Sequence, residues 1–225
     1  MKLEAIGIGR KVGDRWLFEN ISLLIRGGHR FALVGPSGCG KTLLLRSLAL
    51  LDPLDAGAVW WQGECARGDE IPRMRGRVIY LRQRPVLVEG SVEDNLRLPF
   101  GLQAHRGKKF DRDRIIDLLK SLDREESFLS KRQRDLSGGE TQIAAFLRAL
   151  QLDPNVLLLD EPTAALDSRA IELIEALVGS WLDEQPTARA TVWVTHDEQQ
   201  ARRVSTTMKY LRDGRLTGEA NDRLR

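Results

Sequence analysis

The sequence is poor in cysteine and has no long apolar run. Only two of its 225 residues are cysteines, Cys39 and Cys65, too few for the disulfide framework of a small secreted domain. Its best apolar run, residues 43–51, is short and interrupted by Arg46, whereas about 18 apolar residues are needed to span a membrane. Residues 1–4 lead directly into alternating sequence, without the apolar core of a secretory leader. We therefore expect a cytoplasmic protein that reaches a membrane only through a partner.

A strong excess of charge of one sign is also missing. The chain has 35 basic and 32 acidic residues, a net charge of +3. This surplus is too small to indicate a nucleic-acid surface. The basic runs at 106–109 and 131–134 are short and separate, as in solvated loops. We predict no direct nucleic-acid partner.

Apolar runs alternate with helical patterns along much of the chain, which is typical of a mainly parallel α/β core. The runs at 30–34, 156–159 and 190–194 are predicted to be buried strands. Helices are predicted at 41–51, where Asp52-Pro53 follows, and at 168–181, with Ser168 as the N-cap.

Two further regions differ from this core. Residues 3–25 alternate and turn at 13–14, and together with 58–61 they predict an antiparallel β lobe. Residues 91–151 contain no convincing strand and predict a helical insert, with a capping box at Ser91 and a helix at 111–122. We expect a single domain, with the core and β lobe at about 1–82 and 152–225 and a helical subdomain at about 84–151.

Residues 35–42 fit the full G-x-x-x-x-G-K-[ST] phosphate-loop pattern between a predicted strand and a predicted helix. In such a loop, glycines let backbone N–H groups turn toward the phosphates, and the helix N-terminus adds positive potential. The lysine reaches the β- and γ-phosphates and the threonine hydroxyl ligates Mg²⁺. The residues predicted to bind a nucleoside triphosphate are Gly35, Pro36, Ser37, Gly38, Cys39, Gly40, Lys41 and Thr42.

Two acids end the apolar run at 156–159. Carboxyl ends of parallel strands are where ligands bind in open α/β sheets. Asp160 is therefore predicted to hold Mg²⁺ through water, and Glu161 to polarise an attacking water as general base. Without the phosphate loop, an ordinary acidic turn before Pro162 would be the simpler interpretation.

Three further features, one segment and two single residues, are weaker candidates for the nucleotide site. Leu136–Gln142 resembles a second phosphate-binding loop, with paired glycines, a hydroxyl and a predicted helix behind it, but without a lysine. Gln83 follows a predicted strand at 78–81, and His196 follows the strand at 190–194. A lone glutamine or histidine is more often structural than catalytic, so their order along the chain is what gives them weight.

In this order the motifs resemble those of the ATPase subunits of ABC (ATP-binding cassette) transporters, over nearly the whole chain. Residues 35–42 are similar to the Walker A motif, 157–161 to Walker B, Gln83 to the Q-loop glutamine, 136–140 to the signature motif, 165–167 to the D-loop and His196 to the switch histidine. The resemblance implies an α/β fold: a P-loop NTPase core of ABC type, an antiparallel β subdomain and a helical signature subdomain.

The resemblance also implies how the site works. Two cassettes would pack head to tail, so that Ser137, Gly138 and Gly139 of one contact the γ-phosphate of ATP held by the phosphate loop of the other. ATP and Mg²⁺ are the implied cofactors. Gln83 would contact the metal and sense the nucleotide, and His196 would stabilise the transition state. The chain would pair with a copy of itself or a related cassette and with a separate membrane permease, on the cytoplasmic face of the inner membrane.

The family also stacks adenine on an aromatic residue of the N-terminal lobe. In an ungapped register that position is Val12, which cannot stack. Trp16 lies four residues further on and is the predicted substitute; the alternative is that Trp16 belongs to the β-lobe core while Val12 packs on the base.

Residues 85–96, with their continuation 97–100, resemble exporter cassettes, and most of all the small bacterial cassettes of iron export. We therefore predict ATP-driven export, with iron as the candidate substrate. An importer subunit remains the alternative. A cassette acting on chromosomes would need a longer insert than 91–151, and a translation-factor cassette would normally have two cassettes in one chain.

Overall fold

The computed structural model of the chain describes residues 1–218, so residues 219–225 of the predicted core range lie outside the described residues. The strands are β1 (Lys2–Val12), β2 (Arg15–Arg26), β3 (Arg30–Val34), β4 (Ala56–Trp61), β5 (Glu64–Cys65), β6 (Val78–Leu81), β7 (Val156–Asp160), β8 (Ala190–Val194), β9 (Thr207–Arg212) and β10 (Arg215–Gly218). The α-helices are α1 (Lys41–Leu48), α2 (Glu70–Arg75), α3 (Val92–Arg97), α4 (Arg112–Ser121), α5 (Gly138–Leu150), α6 (Ser168–Glu184) and α7 (Glu198–Val204).

These elements form two compact units. The first contains Met1–Tyr80, Asn155–Glu161 and the described residues from Gln185 onward; the second contains Leu81–Pro154 and Pro162–Glu184. The predicted helical subdomain at 84–151 falls within the second unit, which also takes in 162–184. The predicted subdomain boundaries themselves stay a prediction.

The first unit contains two sheets. One is antiparallel with the order β2-β1-β4-β5, and the other has the order β10-β9-β3-β8-β7-β6. In the second sheet, β3 pairs in parallel with β8 and β9, and β7 pairs in parallel with β8. Only the β9–β10 hairpin at its edge is antiparallel among the pairings described. The predicted α/β fold, with a mainly parallel sheet and an antiparallel lobe, is confirmed.

Helix α1 anchors the core of the first unit. Its residues Leu44, Leu45 and Leu48 are almost completely buried and share one cluster with Phe18 and Leu158 from the two sheets. Full burial of a leucine contributes about 1.5–3 kcal/mol. The loop before α1 is therefore fixed to both sheets by the helix that follows it.

Helix α1 ends earlier than the predicted residue 51. Leu50 takes a left-handed conformation with φ of 52°, its N–H donates to the carbonyl of Ser47, and the N–H of Leu51 donates to the carbonyl of Arg46. This is a Schellman arrangement. Arg75 also donates to the carbonyls of Ala49 and Leu50, so Pro53 is not what stops the helix.

In the second unit, α5 buries Ile143, Phe146 and Leu147. The capping box predicted at Ser91 is present at the start of α3, and no strand lies within the described residues 91–151. Ser168 is not the cap of α6, because the carboxylate of Asp167 accepts the N–H of Ala170 at 2.8 Å. Aspartate at this position satisfies a first-turn N–H that a serine one residue later cannot reach.

Among the residues that the structure describes, none of the helices combines the length and the apolar character needed to cross a membrane.

Candidate functional site

The loop between β3 and α1 has the geometry of a phosphate cradle. Gly38 and Gly40 have φ of 77° and 102°, values that favour glycine. A Cβ at Gly35 would lie 2.3 Å from the carbonyl oxygen of Leu211, so no larger residue fits there. The N–H groups at the start of α1 have no partner within their own helix and are available to an anion.

Lys41 is the first residue of α1, and its ammonium lies across the loop that it follows. Its Nζ donates to the carbonyl oxygens of Gly35 at 2.8 Å and Pro36 at 2.9 Å. The residue is only 7% exposed. A phosphate in the loop would offer this ammonium a charged acceptor, which gives a stronger hydrogen bond than a neutral carbonyl.

At the next residue, the structure brings together two of the three residues predicted to contact the metal. The hydroxyl of Thr42 donates to Oδ1 of Asp160 at 3.1 Å. Asp160 ends β7 and is 4% exposed, and its other oxygen, Oδ2, accepts the hydroxyl of Tyr80 at 2.8 Å. Sequence reasoning missed Tyr80, which had been placed only as part of the strand at 78–81.

These two residues fit a magnesium site only in part. A hydroxyl and a carboxylate are the oxygen ligands that Mg²⁺ prefers, with phosphate oxygens and waters usually completing its shell. Within the described residues, no cluster of three or more His, Cys, Asp or Glu side chains could hold a metal alone. The donor set therefore suits Mg²⁺ that arrives with a nucleotide.

Glu161 and His196 lie side by side at the ends of neighbouring strands. Oε2 of Glu161 is 3.6 Å from Nδ1 of His196, whose side chain is 73% exposed. The backbone of Glu161 has φ of 44°, and its N–H donates to the carbonyl of Val194 at 3.1 Å. A non-glycine residue at positive φ is strained, and such strain often marks functional sites.

The predicted signature lies at the N-terminus of α5 in the second unit. Ser137 is the N-cap: its Oγ accepts the N–H of Glu140 at 3.1 Å, and its own N–H donates to the Glu140 carboxylate at 3.0 Å. Lys131 donates to that carboxylate at 2.5 Å and, with the N–H of Ser137, holds its pKa below the usual value. Ser137 and Gly138 are exposed, and the N–H groups of Gly138 and Gly139 open the helix. This helix N-terminus therefore presents the N–H groups that an anion would need, and its contact with a nucleotide stays a prediction.

Two other predicted elements belong to the same unit. A Cβ at Gly139 would lie 3.2 Å from the carbonyl oxygen of Ala165, so the signature helix approaches the backbone of the predicted D-loop closely. Gln83 is exposed and follows β6 in a segment without regular structure. Its predicted roles in catalysis and metal binding stay a prediction.

Trp16 lies on a different face of the antiparallel sheet from Val12. Strand β1 alternates so that Ile8 and Val12 share one face. Phe18 is buried on this face and comes within 3.8 Å of a Cβ placed on Gly40, whereas Val12 is exposed. Trp16 pairs instead with Lys11 and holds its ring 4.3 Å from the Lys11 ammonium. A Cβ at Gly9 would collide with that ring at 2.7 Å. Trp16 and the 64% exposed Val12 therefore lie on opposite faces, and adenine contact by Trp16 stays a prediction.

Comparisons with known proteins agree on the family of this chain and include both an export and an import subunit among its relatives. The family model described as "ABC transporter" matches residues 18–164. The "Probable iron export ATP-binding protein FetA" of Escherichia coli (strain K12) is 34% identical over 198 residues, which are 88% of this chain and 86% of that protein. The "Sulfate/thiosulfate import ATP-binding protein CysA" of Mesostigma viride is 35% identical over 211 residues, 93% of this chain but 59% of that protein.

A solved structure agrees in fold over almost the full length. It is the dimeric post-hydrolysis state of the ATP-binding cassette MJ0796 bound to ADP and Pi, with a TM-score of 0.83 and 28% identity over 96% of this chain and 98% of that one. The family match, the fold and the order of the motifs therefore all indicate an ATP-binding cassette. The chain belongs to the ABC transporter family and is one of its ATP-binding subunits, an ATPase.

Proposed function

We propose that this ATPase drives export through a separate membrane permease at the cytoplasmic face of the inner membrane, with iron as the candidate cargo. The observation that supports the ATPase cycle is the pair of helix N-termini with N–H groups suited to an anion, one that begins with Lys41 and one that begins with glycines after Ser137. Similarity to an iron-export subunit over 88% of the chain supports the direction and the cargo. Import is the second candidate, since a sulfate/thiosulfate import subunit is 35% identical.

The two helix ends suit a dimer arranged head to tail. The phosphate loop would hold ATP from one side, and Ser137, Gly138 and Gly139 of a second cassette would contact the γ-phosphate from the other. Lys41 already supplies the positive charge, so the second helix end requires only N–H groups and a hydroxyl. The dimeric ATP-binding cassette MJ0796, with ADP and Pi bound, supports such pairing.

Within each site the side chains would have distinct roles. Lys41 would neutralise the β- and γ-phosphates, and Thr42 and Asp160 would hold Mg²⁺, which when bound offsets the charge that develops on the phosphates. Glu161 would accept a proton from the attacking water, and His196, 3.6 Å from it, would contact the γ-phosphate. Gln83 would sense the nucleotide and transmit its state to the permease.

The base of ATP is expected to pack on Val12 and not on Trp16. We expect Trp16→Ala to change ATP affinity by less than about twofold, because its ring is turned toward Lys11 and Gly9. Val12→Tyr should strengthen binding by about tenfold, since base–aromatic stacking contributes about 1–3 kcal/mol. Binding of a fluorescent ATP analogue measures both. A large loss in Trp16→Ala, with no gain in Val12→Tyr, would restore Trp16 as the stacking residue.

Direction and cargo are decided by the permease. We expect Glu161→Gln, trapped with ATP, to co-purify from membranes with a multispanning protein, whereas Lys41→Ala does not. Reconstituted vesicles then give the direction: ATP added on the cassette side should move iron away from that side. Accumulation on the cassette side would establish import, and stimulation of hydrolysis by DNA or ribosomes in place of the permease would overturn the transport proposal.

A further inference from the structure

Asp160 keeps its two carboxylate oxygens on different partners. Oδ1 accepts the Thr42 hydroxyl at 3.1 Å and Oδ2 accepts the Tyr80 hydroxyl at 2.8 Å. Tyr80 is on β6, which neighbours β7 in the sheet. Because Asp160 is 4% exposed, its charge needs such partners. All three residues belong to the first unit.

A charged pair, Arg46 and Asp52, interacts with the Tyr80 hydroxyl. Arg46 donates through Nε and Nη2 to the two oxygens of Asp52, both at 2.7 Å. The pKa of Arg46 is raised, mainly by its hydrogen bond to Asp52 and to a lesser extent by the Tyr80 hydroxyl. A guanidinium has no acceptor. The Tyr80 proton is donated to Asp160, so the phenol oxygen is left to face the Arg46 guanidinium as an acceptor.

We propose that Tyr80 is a positioning residue for the metal site: it fixes Oδ2 of Asp160 so that Oδ1 stays directed toward Thr42, and Arg46, held by Asp52, orients the phenol. Outer-shell partners of this kind fix the orientation of metal-ligating carboxylates. When the Thr42 hydroxyl contacts a metal, it no longer donates to Asp160. Asp160 then keeps the hydrogen bond from the Tyr80 hydroxyl. The series of side-chain interactions Asp52–Arg46–Tyr80–Asp160 connects the segment after α1 to the proposed metal site.

This inference rests on the proposed metal role of Asp160, so the test examines both. In a Glu161→Gln background, which prevents turnover, Mn²⁺ binding to the ATP-loaded protein is followed by electron paramagnetic resonance, and ATP binding is measured separately in EDTA. We expect Tyr80→Phe to weaken Mn²⁺ binding by about tenfold, the lower end of the range for outer-shell partners. ATP binding in EDTA should stay within about twofold, because phenylalanine preserves the packing of the ring.

Three further variants serve as controls. Tyr210→Phe removes the chain's other tyrosine hydroxyl, from a ring that packs on the cluster around Ala32 and Val34, and should leave Mn²⁺ binding unchanged. Arg46→Gln should also weaken Mn²⁺ binding, but less than Tyr80→Phe does. Asp160→Asn should weaken it most. Thermal unfolding of each variant checks that the protein is folded.

The outcomes separate the two ideas. If Asp160→Asn weakens Mn²⁺ binding and Tyr80→Phe does not, Asp160 holds the metal and the positioning role of Tyr80 is overturned. If Tyr80→Phe weakens ATP binding equally in EDTA, its effect does not pass through the metal and the inference is also overturned. If Asp160→Asn has no effect, the proposed metal role of Asp160 fails, and the role of Tyr80 fails with it.

Discussion

Glu161→Gln should lower ATP hydrolysis by a factor of about 10²–10⁴, the usual contribution of a general base, while ATP still binds. The amide has the size of the carboxylate but cannot accept the proton of the attacking water. The backbone at φ of 44° and the hydrogen bond to Val194 do not depend on the side chain, so the geometry of the loop should persist. Release of phosphate measures hydrolysis, and size-exclusion chromatography with ATP should show an accumulated dimer.

The matched control is Glu198→Gln. Glu198 is exposed in the first turn of α7, two residues beyond His196. Its substitution removes the same charge, but Glu198 has no role in the proposed mechanism. It should hydrolyse ATP at the wild-type rate. Wild-type turnover in Glu161→Gln would show that Glu161 is not the base. A larger loss in His196→Ala than in Glu161→Gln would move the principal role to the histidine.

The phosphate loop could be predicted from the sequence because its information is contiguous. Eight adjacent residues specify the turn, the lysine and the hydroxyl, and the strand before and the helix after them are strongly apolar. The positions of Asp160 and Glu161 were predictable for a similar reason, since Asp160 ends a buried strand and Glu161 follows it. The signature, at Ser137, needed only a capping serine and two glycines before a helix.

Adenine contact could not be predicted in the same way, because it depends on which face of a strand a residue occupies. Between the pairs Arg10–Phe18 and Lys11–Trp16, Leu17 has no partner in β1. This one-residue bulge reverses the face of Trp16 relative to Phe18. A bulge leaves no clear trace in the pattern of apolar residues, so counting four positions from Val12 to Trp16 could not show that the two side chains lie on opposite faces.

The hydrogen bond from Tyr80 to Asp160 could not be predicted from the sequence for another reason. The two residues are 80 positions apart in the chain and meet only because β6 and β7 are neighbours in the sheet. Residue 80 reads as an ordinary strand residue. The end of α1 was similarly hidden, because a leucine at φ of 52° is not a residue type that predicts a left-handed helix end.

Ser137→Arg should abolish ATP-driven dimerisation and lower hydrolysis at least about 10²-fold, the loss typical when a preorganised hydrogen-bond donor to the reacting group is removed. Arginine removes the hydroxyl and places a long side chain over the exposed helix end where the partner's nucleotide is proposed to bind. ATP binding to the monomer should be preserved, because Lys41 and the phosphate loop are in the other unit. Light scattering with ATP, together with phosphate release, measures the effect.

Loss of the helix cap is a competing cause, and the chain offers a matched control for it. Ser91 begins α3 in the same unit with the same capping box, through Asp94. Ser91→Arg should therefore cost the same stability, about 1 kcal/mol for a lost N-cap, but hydrolyse ATP normally. Equal losses of hydrolysis in both variants would assign the effect to helix stability and remove the support for a shared site.

Mixing two inactive variants distinguishes a shared site from one within a single chain. Lys41→Ala lacks the phosphate-loop ammonium, and Ser137→Arg lacks the signature. If the sites form between chains, a dimer of the two contains one site with both defects and one with neither, so the mixture should recover hydrolysis that neither variant shows alone. If Lys41 and Ser137 of the same chain acted on one nucleotide, every site in the mixture would keep a defect. Absence of recovery, when chromatography shows that the mixed dimer has formed, would thus rule out the head-to-tail site.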